Sequence, residues 1–238
     1  PLDERSVREE AIEGLKPLPD EDPFAAPGIR VGSFIMRPSL EQGVTATSNA
    51  DSSVGGGSAI LSETTLRLNA LSDWSRHSAS LDAYGIFRKS ISGEDTNETE
   101  AGLDAALSLD FSEDLRGLAT LGYARRPDSA SSAVVISGIE SQPLLQTFSA
   151  SAGLAKDVGK LRFGVTGRLE HNDYGDADLL DGTVLSQEER NSTLATVTLR
   201  GGYEISPALT PFAEVEVGQR HYDQKIDTAG YERSSDRL

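Results

Sequence analysis

The chain has 238 residues, with 22 Lys and Arg against 38 Asp and Glu, a formal net charge of −16, no Cys, one Met, one Trp and 23 Gly. Such a balance cannot neutralise a nucleic-acid backbone, and without thiols there are no disulfides and few structural zinc chemistries. No run approaches 18 consecutive apolar residues, so no transmembrane helix is expected. Pro1 is not a natural start and no basic-then-apolar leader precedes it, which is expected of a fragment or of a chain whose signal peptide has been removed.

Residues 1–27 are polar and acidic. Val7, Ala11, Ile12 and Leu15 recur at helical spacing, and the Pro-rich stretch PLPDEDPFAAP follows. This predicts a short amphipathic helix and an extended linker, an N-terminal extension over residues 1–30. From Val31 to about Tyr222 the period changes to two. Phe34, Met36, Leu40 and Val44 share one face of a first strand, about 34–46. Leu66, Leu68 and Ala70 mark a second (59–71), Ala79, Leu81, Ala83 and Phe87 a third (76–88), and Ala101 to Phe111 a fourth (98–111). Leu115, Ala119, Leu121 and Tyr123 give a fifth, Leu144, Phe148, Ala150 and Leu154 a sixth, and Leu161, Phe163, Val165 and Leu169 a seventh. Ala195, Val197, Leu199 and Tyr203 lie in an eighth (190–205), and Leu209, Ala213, Val215 and Val217 in a ninth (209–221). Such alternation specifies strands with one apolar and one polar face.

The charges sort independently. Within these windows Arg37, Glu41, Glu63, Arg67, Arg76, Asp82, Arg88, Glu98, Glu100, Asp104 and Asp110 all take the parity opposite the apolar face. So do Arg116, Arg162, Arg168, Glu170, Arg190, Arg200, Glu204, Glu214, Glu216 and Arg220. Ten are Arg and eleven acidic, a net of −1, so −15 of the total −16 lies in loops, turns and the N-terminal segment. Short links (72–75, 112–114, 155–160, 206–208) alternate with long ones (47–58, 89–97, 124–143, 172–189). Transmembrane β-barrels alternate short periplasmic turns with long extracellular loops, whereas a Greek-key sandwich has no reason to. With the first strand rising from the periplasm, Phe34, Phe111, Phe163 and Tyr203 fall at a lower rim and Phe87 and Tyr123 at an upper one, all on the apolar parity, as an aromatic girdle requires. The fold class expected is all-β, a transmembrane antiparallel up-and-down barrel over residues 31–238. Nine strands do not make an even-numbered barrel, so further strands are expected after Leu238.

Three segments carry a family resemblance. DPFAAPGIRVGSFIMRPSLEQGVTATSN (22–49) resembles the first strand of the outer-membrane β-barrel porins of Gram-negative, alphaproteobacterial type; SPALTPFAEVEVGQRHYD (206–223) is similar to their recurrent hairpin, and FSEDLRGLATLGYARR (111–126) to a looser copy. The resemblance implies an outer-membrane barrel with its N-terminus in the periplasm, in contact with lipid and lipopolysaccharide. It implies little about cargo.

On the inward face the candidate lumen charges are Arg67, Arg76, Asp82, Arg88, Glu100, Asp104, Arg116, Arg162, Arg168, Glu170, Arg200, Glu204, Glu214 and Glu216. Arg116, Arg162, Arg168 and Arg200 are expected to form a network with Asp104, Glu170 and Glu204. The network either stiffens the wall or lines a hydrated pore. Tyr84, Tyr174, Phe212 and Tyr222 share this face but are too few for a sugar track. Asp173, Asp176, Asp178 and Asp181 could offer oxygen ligands to Ca²⁺, yet their spacing departs from an EF-hand and a solvated loop is the plainer reading. His77, His171 and His221 lie on the outward parity with no nucleophile at a defined spacing, so neither an enzyme nor a cofactor is expected. The helix in residues 1–27 is read as contacting a periplasmic partner or the cell wall, with insertion into the lumen as the other possibility. The functional expectation is a passive porin-like channel for small hydrophilic solutes; the alternatives are a structural or export barrel and a soluble β-rich domain.

Overall fold

The computed structural model describes residues 27–50, 57–95, 97–128, 143–179, 181–206, 208–226 and 230–237. The N-terminal helix expected within residues 1–27 lies outside them. One antiparallel sheet dominates. Its strands are β1 (Ile29–Val31), β2 (Phe34–Thr47), β3 (Ala59–Ser72), β4 (Ser78–Gly93), β5 (Asn97–Ser112), β6 (Leu115–Pro127), β7 (Leu144–Val158) and β8 (Leu161–Tyr174). After a small hairpin of β9 (Ala177–Asp178) and β10 (Val184–Leu185) and one 3₁₀ turn at Glu188–Arg190, it continues with β11 (Ser192–Tyr203), β12 (Phe212–Tyr222) and β13 (Ser235–Arg237). The order β1-β2-β3-β4-β5-β6-β7-β8-β11-β12-β13 is up-and-down, each long strand beside its sequence neighbours. Among the described residues β1 and β13 each pair on one side only, so the sheet is open there.

Residues directly opposite one another in an antiparallel pair share a face, so the register tests the parity assignment strand by strand. Leu40 faces Leu66, Leu66 faces Gly85, Ala83 faces Leu103, Leu103 faces Tyr123, and Tyr123 faces Phe148. Ala150 then faces Leu169, Leu169 faces Ala195, and Val197 faces Val217. One apolar face therefore runs unbroken from β2 to β12. The opposite face carries the row Arg37, Asn69, Asp82, Asp104, Gly122, Ser149, Glu170, Leu194 and Arg220.

The burial is inverted relative to a water-soluble protein. Leu121, Leu169, Leu199 and Val215 are exposed, while Thr196, Thr198, Ser192 and Thr65 are buried; Thr196 is 7% accessible and its neighbour Val197 45%. Among the described residues the buried apolar cluster amounts to Ala50, Ala59 and Leu61. Apolar surface of this extent facing outward is stable only against an apolar medium.

Strand lengths depart from the sequence-based expectation at one place. The segment 89–97, expected as a long loop, is mostly strand: β4 and β5 are 16 residues each and only residues 94–96 connect them. Short and long links therefore do not alternate without exception. The polar run SGEDTNETE reads as a loop by composition, but Arg88 pairs with Glu98 and Lys89 with Asn97 across the ladder, and Gly93 at φ +89° makes the turn. A 16-residue strand is about 50 Å long at ~3.3 Å per residue. Tilted by about 40°, it rises about 40 Å against an apolar band about 25 Å tall, so its polar end projects beyond the band. Smaller differences are that the sheet begins at Ile29, within the expected linker, and that Arg190 lies in the 3₁₀ turn rather than in a strand.

Phe163 and His171, which faces Phe148, are eight residue steps apart on β8, about 26 Å of strand and about 20 Å of height at that tilt. Outward-parity charges flank this belt. Lys89, Arg125 and Asp173 lie at the ends of their strands beyond the upper aromatic residues, and Lys156 stands directly opposite Phe163 at the lower edge. At the lower corner of β2, the β1 hairpin is fixed by Arg30 Nη1 to Asp73 Oδ2 at 2.6 Å and by Trp74 Nε1–H donating to Ser33 Oγ at 2.9 Å.

Substituting Leu121, 62% accessible at mid-belt, by Arg is expected to cost about 2–4 kcal/mol of folding stability in lipid vesicles. Thr120→Arg, on the other face, should cost much less. Fluorophores on cysteines at Leu107, Leu121 and Val197 should report hydrocarbon and those at Asp104, Thr120 and Thr196 water; one common environment would overturn the face assignment.

Candidate functional site: the polar inner face

The inner face is a continuous polar surface with three centres of charge. Near the end of the sheet formed by links 48–58, 94–96, 128–143 and 175–191, Arg88 on β4 gathers carboxylates from both neighbouring strands. Its Nε lies 2.7 Å from Glu63 Oε2 on β3, and its Nη1 is 3.3 Å from Glu98 Oε2 and in contact with Glu100 Oε1 on β5. All four side chains are about a quarter exposed. One guanidinium bridging three carboxylates ties β3, β4 and β5 together where the strands leave the apolar belt, and its fork geometry makes this possible.

A second centre folds the longest described link back on the sheet. Arg190 Nη2 bonds Asp128 Oδ2 at 2.9 Å, with both side chains only 11% accessible, and its guanidinium lies 3.8 Å above the Tyr174 ring. Arg190 also contacts Gln187 Oε1, while Gln187 Nε2 donates to the Gly175 carbonyl at 2.9 Å. Asn191 accepts from the Tyr174 N–H at 2.7 Å and donates to Asp173 Oδ1 at 2.8 Å. These bonds fold the described residues 175–179 and 181–191 back as a flap at the rim. Of the acidic residues considered as Ca²⁺ ligands, Asp173 is bound to Asn191 and Asp181 to Thr183. No group of three or more carboxylates or imidazoles able to hold a metal is present among the described residues.

The third centre is at the opposite rim. Arg162 Nη2 meets Glu204 Oε2 at 2.8 Å, and Arg116 pairs with Asp157 Oδ2 at 3.3 Å, a carboxylate outside the expected network. Asp104 stands opposite Asp82, which accepts from Asn69 Nδ2 at 2.7 Å. Glu170 accepts from Asn172, and Arg168 has partners of its own. Arg200 lies 3.8 Å over the Phe212 ring. Arg76 donates to the Asp110 carbonyl at 2.7 Å and contacts that of Phe111, closing the end of β5. Arg67 is 3.8 Å from Glu41, and Glu216 3.4 Å from Arg237, both exposed pairs of small weight. Glu214 stands opposite Arg200 across the ladder. Sequence reasoning missed Asp157, Asp128 and Gln187, which lie in expected turns and loops where parity assigns no face, and Asn191, at the start of the expected eighth strand, whose side chain bonds back to the link before it.

Small residues separate these centres. Gly102, Ala106, Gly122, Ala124, Gly153, Ala155, Gly164 and Gly202 all take the inward parity. At Gly102 the reason is direct: a Cβ would sit 2.3 Å from Cε1 of Tyr84, whose ring lies across it. On the outer face, Phe87, Phe111, Phe163 and Tyr203 are each about half exposed. Tyr123 stacks on Phe148 at 4.9 Å, and Phe34 meets Trp74 edge-on at 5.6 Å; Phe148 and Trp74 thus extend the expected aromatic set. His77 accepts from the Asp110 N–H at 3.1 Å, and His171 shares a 2.9 Å hydrogen bond with Thr193 Oγ1.

An up-and-down sheet with an exposed apolar face and a charged, glycine-studded inner face is barrel wall, and residues 22–238 match the family described as Putative beta-barrel porin 2. The chain belongs to that family. No curated protein and no solved structure was found to match it. Within this porin family membership, the matched span covers every described strand, including all three charge centres.

Two outcomes follow for this porin-family chain. Arg88→Gln leaves Glu63, Glu98 and Glu100 facing one another and should destabilise the protein by about 1–2 kcal/mol at pH 7. Denaturant unfolding of the natural protein and the variant at pH 7 checks it. In the Glu113–Asp114 turn, the Lys156 ammonium and then the Ser112 hydroxyl hold the Asp114 carboxyl below its ordinary 3.8. A carboxyl lowered in the folded state adds stability above pH 3.8 and loses it as the pH falls through the lowered value. Carboxyl NMR should therefore place the Asp114 midpoint below 3.8, and Lys156→Met should move it upward.

Proposed function

We propose that this chain forms wall of an outer-membrane channel, a porin-like passive conduit for small hydrophilic solutes. The observation that carries the reading is the inner face: balanced charges fixed against one another, with backbone-only gaps between them at Gly122, Gly153, Gly164 and Gly202. A wall of paired charges stays wetted without holding one ion tightly, and conduction requires binding weak enough to release. The outward belt and its aromatic edges suit lipid, and the outward charges Lys156 and Arg125 suit head groups and lipopolysaccharide phosphates at the two edges. In the bilayer both open edges of the sheet are paired, because hydrocarbon offers nothing else to their peptide groups. The end bearing the tight turns at 73–77, 113–114 and 159–160 faces the periplasm, with the N-terminal extension, and residues 1–27 contact a periplasmic partner or the cell wall. No catalytic step or cofactor belongs to this reading.

The deciding experiment is single-channel recording of the full-length protein in a planar bilayer, folding first being verified by its heat-dependent gel shift. Discrete conductance steps that need no ligand are expected. A folded, inserted protein that stays silent would replace the channel with an export conduit or envelope anchor. Protease added to intact cells should cut within 175–191 and spare 113–114, and the reverse would invert the orientation.

A further inference from the structure

At the rim bearing the tight turns, the ladder brings three guanidiniums to one depression. Arg116 on β6 faces Ala155, Ala155 faces Gly164, and Gly164 faces Arg200 on β11. One step further along the same face, Arg162 lies between Asp157 and Gly202, and Gly202 faces Phe212. The depression is lined by Arg116, Asp157, Arg162, Arg200, Thr210 and Phe212 over a floor of Ala155, Gly164 and Gly202. Three cations thus face one carboxylate within it, and Glu204 holds Arg162 from its margin.

The three arginines are not equivalent. Arg116 and Arg162 are engaged by Asp157 at 3.3 Å and Glu204 at 2.8 Å. Arg200 has Glu214 directly opposite in the ladder, yet its Cζ lies 3.8 Å over the centre of the Phe212 ring, and no carboxylate of the described residues is within ion-pair distance of it. A guanidinium held over a ring by a cation–π contact spends no N–H donor on it, and its fork of donors matches the two oxygens of a carboxylate or phosphate. The absent side chains at Gly164 and Gly202 leave the space in front of it open, and Thr210 lines its margin.

We propose that this depression is a weak binding subsite for small oxyanions, carboxylates or phosphate, with Arg200 as the bidentate donor, Phe212 as the platform that orients it, and Arg116 and Arg162 supplying field. The proposal rests on the hydrated inner face of the channel reading and adds a solute class to it. Asp157 and Glu204 keep the site weak, as a conduit requires, so it slows anions in passage without trapping them.

The test uses the full-length protein folded in detergent, with inorganic phosphate as the probe and ³¹P line broadening as the readout, followed by the same protein in a planar bilayer. Saturable broadening is expected. Arg200→Gln should weaken it at least tenfold, and Phe212→Leu, which keeps every charge, should weaken it several-fold; Arg67→Gln, far from the depression, should leave it unchanged. Should Arg200→Gln fail to fold by the gel-shift criterion, Phe212→Leu decides the matter. Absence of saturable broadening in the natural protein, or equal broadening in the variants that fold, overturns the subsite. Conductance steps together with no phosphate binding would overturn the subsite alone. Phosphate binding that depends on Arg200 in a protein that never conducts would overturn the channel and leave the subsite standing.

Discussion

In hydrocarbon a peptide N–H or C=O can bond only to another peptide group, so a chain crossing it by strands must pair each strand with its neighbour along its whole length. That ladder fixes the rest of this molecule. Once β2 to β12 are joined in register, the face of every side chain is determined, because the strand period is two and opposite residues share a face. Leu40, Leu66, Ala83, Leu103, Tyr123, Phe148, His171, Thr193 and His221 cannot be reassigned singly.

The inversion of burial follows. In water, exposing Leu121, Leu169, Leu199 and Val215 while burying Thr196, Thr198 and Ser192 would oppose folding. Against lipid the exposed side chains are solvated by chains like themselves, and the polar ones satisfy each other on the concave side, as Thr120 and Ser151 do at 2.6 Å. Individual ion pairs here are worth little because most are part-exposed. Their collective effect is to set the chemistry of the inner surface: mixed sign, no long apolar stretch, and donors held at defined places.

The faces were legible in the sequence because period two is a strong pattern; Leu161, Phe163, Val165 and Leu169 against Arg162, Arg168 and Glu170 leave one reading. Partner choice was not legible. Arg116 meets Asp157, which the expected network did not include, because a long side chain reaches diagonally to a position that register alone reveals, and Asp157 sits in what composition reads as a turn. The ends of elements were similarly obscure. The run 92–100 looks like a loop from its acidic content, yet Arg88 supplies the counter-charge that lets Glu98 and Glu100 stay in strand. The flap at 175–191 depends on Arg190, Asp128 and Tyr174, remote from one another along the chain, and no local pattern announces them.

Two irregularities in the ladder show how such a protein can vary over generations. The register slips by one residue between Ile60 and Leu61 of β3, leaving Ile91 of β4 unmatched, and again around Phe111 of β5. Both lie at strand ends, and the long ladder between them runs without a break. A single-residue insertion at mid-strand would exchange lipid and lumen for every following side chain up to the next turn. At the rims a bulge absorbs the extra residue locally. Descent in this architecture is therefore open to substitutions that keep each face's character and to length changes in the loops, and nearly closed to length changes inside the belt.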